Sequence, residues 1–92
     1  MKSAYELAME RLQKTEPAPK LTDVQRAALA EVTNRYESKI AERQTFLSSK
    51  IKEAEHNHDP KEADEFREQM RRDLAVLREE MEAQKEKIRS GN

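Results

Sequence analysis

The fold is constrained most strongly by residues 56–62, whose sequence is HNHDPKE. Helical apolar spacing precedes this segment and resumes after it. Asn57 can adopt the left-handed conformation that ends a helix. Asp59 suits an N-cap, Pro60 suits the first helical position, and Glu62 suits the partner position of a capping box. The segment therefore predicts a turn at 57–59 that joins two antiparallel helices.

Two long helices are predicted on either side of this turn, over about residues 23–56 and 60–89. Thr22 and Gln25 form a capping box at the start of the first one. The apolar residues of both helices recur in the three- and four-residue steps of an amphipathic helix. In the first helix they are Leu29, Val32, Tyr36, Ile40, Leu47, Ile51 and Ala54. In the second they are Ala63, Phe66, Met70, Leu74, Leu77, Met81 and Ile88.

The two apolar rows match each other when the chain folds back near His58. Apolar residues then face apolar residues at nearly every layer, except at the layer of Arg43 and at the layer near Val32. Charged residues beside the rows are also complementary, since Arg43 is predicted near Asp73. Lys39 is likewise predicted near Glu80. This register favours a hairpin over one continuous helix.

A short helix and a linker are predicted before the hairpin. Ser3 and Glu6 form a capping box that opens a helix over about residues 3–14. Residues 15–21 contain two prolines one residue apart, which favours extended backbone. We expect the short helix to cover the open end of the hairpin, where small side chains permit close approach. These side chains are Ala27, Ala28 and Ala30.

Composition supports one all-α domain over residues 1–92. Charged residues make up 40% of the chain and aromatic residues 4%, with a single glycine, which is typical of long helices or a coiled coil. The net charge of −1 gives no global basic field that would attract nucleic acid or an anionic membrane. The absence of cysteine excludes disulfides, thiolate metal sites and thiol catalysis.

The sequence predicts a cytoplasmic protein without membrane association. The first residues are not followed by the apolar core of a signal peptide, and no segment approaches the roughly 20 apolar residues of a membrane span. Basic residues are also mixed evenly with acidic ones, unlike those of a membrane-surface helix.

The sequence favours neither a metal site nor a catalytic site. His56, His58 and Asp59 lie close together, but they are too few for a closed zinc site, and Asp59 already suits an N-cap. The acidic groups in 79–86 have the spacing of solvated helix faces, and a two-helix hairpin lacks the partly dry pocket that separates two carboxyl pKa values. We therefore predict no enzyme activity, no cofactor and no small-molecule substrate.

One flank of the first long helix departs from this plain pattern, because basic residues surround an aromatic one there. This basic strip consists of Arg35, Lys39, Arg43, Phe46 and Lys50. Such a strip can contact phosphates and stack on an unpaired base. The alternative is that the cations pair with the second long helix while Phe46 packs in a dimer contact. A second basic row follows the opposite flank of the second long helix, at Arg67, Arg71, Arg78, Lys85 and Arg89.

The chain also resembles a known family, the signature protein shared by the Planctomycetes–Verrucomicrobia–Chlamydiae superphylum. The similar segments are MKSAYELAMERL at 1–12, KLT at 20–22, YESKIAER at 36–43, FL at 46–47 and KEKIR at 85–89. The resemblance implies a helical housekeeping protein with sequence-nonspecific DNA or RNA binding. It implies no enzyme activity, no cofactor and no established site residues. The net charge of −1 would confine such binding to a local strip.

Two functional hypotheses follow. In the first, the basic strip binds nucleic acid through phosphate contacts without base readout. In the second, the chain is a structural or adaptor hairpin that associates with protein, as a homodimer or within a larger assembly such as a ribonucleoprotein. Phe46 and the outward-facing Val76 are its predicted interface residues.

Overall fold

The computed structural model describes residues 3–15 and 20–91. Within these residues the chain forms three α-helices and no strand, namely α1 (Ala4–Thr15), α2 (Asp23–His56) and α3 (Pro60–Arg89). Helices α2 and α3 pack against each other as a hairpin. The predicted all-α fold, with a short helix before a long antiparallel pair, is confirmed. Residues 16–19 of the predicted linker lie outside the described part of the chain.

The apolar rows of α2 and α3 meet as predicted. Each of their members is buried or half-buried. The buried ones are Val32, Tyr36, Leu47, Ile51, Ala54, Ala63 and Leu74. The Arg43 Nε lies 3.5 Å from the Asp73 Oδ2 across the hairpin, which confirms the predicted pair and the register.

The open end of the hairpin is held by Gln25. The Thr22 Oγ1 accepts a hydrogen bond from the Gln25 backbone N–H at 3.0 Å. The Gln25 Oε1 accepts one from the Thr22 N–H at 2.9 Å, which completes the predicted capping box. The Gln25 Nε2 also donates to the Ile88 carbonyl oxygen at 3.0 Å. One side chain therefore caps the start of α2 and binds the last turn of α3.

The end of α2 has a different left-handed residue from the predicted one. Asn57 has φ −83°, whereas His58 has φ 55°. The His58 N–H donates to the Glu55 carbonyl at 3.1 Å, and the Asp59 N–H donates to the Ala54 carbonyl at 2.9 Å. These two bonds form a Schellman motif, which puts the left-handed residue one position beyond the cap. The prediction for Asn57 was wrong because Asn57 is the C-cap of α2, and the Schellman motif places the left-handed residue one position after the cap, at His58.

The start of α3 has the predicted N-cap but only half of the predicted capping box. The Asp59 Oδ1 accepts a hydrogen bond from the Glu62 N–H at 3.1 Å, and Pro60 occupies the first turn. The Asp59 N–H is already bonded to the Ala54 carbonyl, so it is not available to the Glu62 carboxylate. The pKa of the Glu62 carboxyl is raised, because a hydrogen bond to Asp59 and, less strongly, burial and the negative charge of Asp59 favour its protonated form.

Replacing His58 by glycine is expected to stabilise the hairpin by about 1 kcal/mol, because glycine adopts positive φ without the clash of a Cβ atom. Thermal unfolding followed by circular dichroism measures this as an increase in Tm. Asn57→Gly is the matched control, since the φ of −83° at Asn57 gives no strain to relieve. A decrease in Tm for His58→Gly would contradict the assignment of the left-handed residue.

Helix α1 packs against neither α2 nor α3 in the described part of the chain. The Ser3 Oγ caps it by accepting a hydrogen bond from the Glu6 N–H at 3.2 Å. Its residues Tyr5 and Leu7 are 74% and 52% exposed. The expectation that α1 covers the open end of the hairpin was therefore wrong. The open end offers mainly alanines, whose small apolar area does little to offset the entropy lost when a helix is docked.

Candidate interaction surface

The basic strip of α2 and one flank of α3 lie on the same side of the hairpin. The Arg43–Asp73 pair identifies this side, because it joins the two flanks directly. Val76 and Glu80 follow Asp73 at helical spacing on that flank of α3. Near the turn, Glu62 and Lys50 line one small cleft on this side. We call this side the Phe46 face. Its residues are Arg35, Lys39, Arg43, Phe46 and Lys50 of α2 and Glu62, Asp73, Val76 and Glu80 of α3.

An open groove of about 340 Å³ lies at the middle of the Phe46 face. Lys39, Arg43 and Phe46 line it from α2, and Leu77 lines it from α3. Phe46 is 52% exposed although it lies beside the buried core. Glu42 also lines the groove and was missed by the sequence analysis, because it lies further from the apolar row than the strip does. The groove has an apolar floor between charged rims.

The cations of the basic strip already have partners within the chain. The Arg35 Nη2 lies 3.3 Å from the Glu31 Oε1, and the Lys50 Nζ lies 3.8 Å from the Glu53 Oε2. Arg43 pairs with Asp73, as described above. These ion pairs offset part of the positive charge of the strip within the chain.

The two lysines of the strip also lie over aromatic rings. The Lys39 Nζ is 4.9 Å from the centre of the Tyr36 ring, where it makes no ion pair with Glu80. The Lys50 Nζ is 5.7 Å from the centre of the Phe46 ring. Both distances permit a cation–π interaction. One side of the Phe46 ring is therefore occupied by an ammonium group.

Four of the five cations of the basic row on the opposite flank of α3 form ion pairs as well. Arg67 bridges to Glu55 of α2 at 2.5 Å and to Asp64 at 2.9 Å. Arg71 pairs with Glu68, and Arg89 pairs with Glu82 and Glu86. The carboxylates lie within or beside this row, so it has no extended unbalanced positive charge. The row is less suited to phosphate binding than its sequence suggests.

Three further features are absent from the described residues, namely a group of metal ligands, a buried polar side chain and a membrane-spanning helix. No group of three His, Asp or Glu side chains in this part of the chain is close enough to hold a metal ion. No polar or charged side chain among these residues is buried. No helix in the described ranges is both long and apolar enough to cross a membrane. The cytoplasmic location and the absence of enzyme activity stay predictions from the sequence.

The strongest feature of the surface is therefore the Phe46 face, with an exposed aromatic ring in a groove between charged rims. The sequence analysis named its α2 residues and Val76, and the structure shows that Asp73 and Leu77 of α3 lie beside them. Comparison of the chain with known proteins gave no match to a protein-family model, to a curated protein or to a solved structure.

Proposed function

We propose that this chain is a structural or adaptor hairpin that binds protein through the Phe46 face. The observation that carries the proposal is the 52% exposure of Phe46 in a groove shared by both helices. Aromatic residues are enriched in protein interfaces, where they fill pockets on a partner and supply much of the binding energy. A rigid hairpin presents such a ring at a fixed position.

The charges around Phe46 favour a protein partner over a phosphate backbone. Three of the four cations of the strip lie within 4 Å of a carboxylate of the same chain. A phosphate would have to displace these carboxylates or remain close to their negative charge. A protein surface with charges of both signs matches such a mixed rim without displacing them.

Nucleic-acid binding is the second candidate, and the exposure of the strip favours it. The side chains of Arg35, Arg43 and Lys50 are 54%, 45% and 42% exposed. Ion pairs this exposed contribute about 0–1 kcal/mol each, so that phosphates can compete for the cations. The strip runs for roughly 22 Å along α2. The family resemblance points to the same activity, and both stay predictions.

Photo-crosslinking distinguishes the two candidates. When Phe46 is replaced by p-benzoylphenylalanine, irradiation of cells that produce the protein should join it to polypeptide. The product should be sensitive to protease and resistant to nuclease. Thr45 is the matched control position, because it is exposed and points about 100° away around the same helix. Crosslinking at Thr45 should be weak.

A different product would contradict the proposal. A nuclease-sensitive product at Phe46 would show that this position contacts nucleic acid, and would favour nucleic-acid binding over protein binding. Retardation of short DNA and RNA by the purified protein should then weaken steeply with salt and disappear in Lys39→Glu/Arg43→Glu/Lys50→Glu. The absence of any product at Phe46 would leave both candidates without support.

A further inference from the structure

We propose that a second copy of this chain covers the Phe46 face, related by a two-fold axis parallel to the helices, so that two hairpins form a four-helix bundle. This inference rests on the proposed function and names its partner. A hairpin of two helices buries only seven apolar side chains among its described residues. A second hairpin would remove further apolar surface from water at Phe46, Val76 and Leu77.

The Phe46 face is divided by charge between its two helices. The α2 half carries the four cations of the basic strip, whereas the α3 half carries Glu62, Asp73 and Glu80. A two-fold interface brings the same patch of both copies together. A patch that is positive on one helix and negative on the other is complementary to itself, provided that the axis places unlike helices opposite each other.

The direction of the axis follows from this division. If the axis is parallel to the helices, α2 of each copy lies on α3 of the other, and cations face carboxylates. If the axis is perpendicular to the helices, α2 lies on α2 and cations face cations, which is repulsive. Both axes make all neighbouring helices antiparallel, as in an up-and-down four-helix bundle, so this feature does not distinguish them. Charge therefore selects the parallel axis.

The register follows from the Arg43–Asp73 pair. A two-fold axis along the helices preserves height, so Arg43 of one copy is level with Asp73 of the second copy. Val76 lies about 4.5 Å beyond Asp73 toward the open end of the hairpin. It is then level with the groove lined by Lys39, Arg43 and Phe46, which has an apolar floor at Leu77. Val76 of the second copy is the residue that fills the groove.

Light scattering tests the self-association. The wild-type chain should have about twice its monomer mass of 10.8 kDa. Val76→Arg should weaken dimerisation by at least about tenfold, because a long charged side chain would replace a small apolar one against the apolar floor of the groove. Ala75→Arg is the matched control, since Ala75 is exposed and points about 100° away from Val76. It should leave the dimer intact, and circular dichroism should show both variants to be helical.

Distances between spin labels test the direction of the axis. The chain has no cysteine, so Lys61→Cys provides a single label near the turn and Lys87→Cys provides one near the open end. With the parallel axis, like ends lie together, and both variants should give label distances below about 30 Å. With the perpendicular axis, like ends lie apart by nearly the length of α3, roughly 45 Å. Two long distances would overturn the proposed bundle.

The outcomes separate this inference from the proposed function. A monomeric wild type whose Phe46 position still crosslinks to a different polypeptide would overturn the second copy and leave protein binding in place. A monomer without a protein crosslink would overturn both. A dimer that Val76→Arg does not weaken would place the interface elsewhere and overturn the inference.

Discussion

Leu47→Ala is expected to lower the free energy of unfolding of the hairpin by about 2–5 kcal/mol, the range for large-to-small changes at buried leucines. Leu47 is 1% exposed and is the largest fully buried side chain among the described residues. It lies next to the layer where Arg43 interrupts the apolar row, so that few other side chains are available to fill the cavity. A hairpin with so small a core is expected to lose most of its stability.

Urea unfolding followed by circular dichroism measures this loss. The measurement belongs in a Val76→Arg background, because dissociation of the proposed dimer would otherwise make stability depend on protein concentration. Leu7→Ala is the matched control, since it removes the same atoms from a half-exposed side chain on α1, which makes no contact with the hairpin among the described residues. A loss for Leu47→Ala below about 1 kcal/mol would contradict the tight packing of this layer.

The hairpin was predictable because two independent patterns agree. The helical period fixes which residues face inward, and the turn segment fixes which layers meet. The pairs Arg43–Asp73 and Glu55–Arg67 lie across the hairpin in the register that results. These contacts between distant residues depend on the number of residues between the apolar positions and the turn, which can be read from the sequence.

The details at the helix ends were less predictable, because neighbouring residues compete for the same backbone groups. Asn57 is the better left-handed residue by preference, yet the two Schellman bonds require positive φ at His58. Those bonds also use the Asp59 N–H that the predicted capping box needed. Local preferences of a few tenths of a kcal/mol lost to the geometry of the whole turn.

The position of the candidate surface could be predicted from the sequence, but the interaction partners of its side chains could not. Helical spacing places the basic strip on one flank of α2, whatever its side chains do. The partners of long, exposed side chains depend on small energy differences. Lys39 accordingly lies over the Tyr36 ring, at 4.9 Å, and forms no ion pair with Glu80. The predicted Arg43–Asp73 pair is observed, and it confirms which flanks of the two helices share a side.

The close approach of the helices beside the turn leads to a second large effect. Ala54 and Ala63 are 2% and 1% exposed, and with Ile51 they form a buried cluster against which Phe66 and Met70 pack. Small side chains on both helices allow the backbones to come near each other at this layer. The Ala54 carbonyl also accepts the Asp59 N–H, so that movement of Ala54 disturbs the turn itself.

Ala63→Leu is therefore expected to lower the free energy of unfolding by about 1–3 kcal/mol, because the added carbons have no space between the helices. The same change at the exposed Ala75 should alter it by less than about 0.5 kcal/mol, since alanine and leucine are both strong helix formers. Urea unfolding measures both variants, and amide hydrogen exchange at Asp59 reports on the turn. Faster exchange should accompany Ala63→Leu alone. Equal stability of the two variants would contradict the prediction, because it would mean that α2 and α3 leave space for a leucine side chain at position 63.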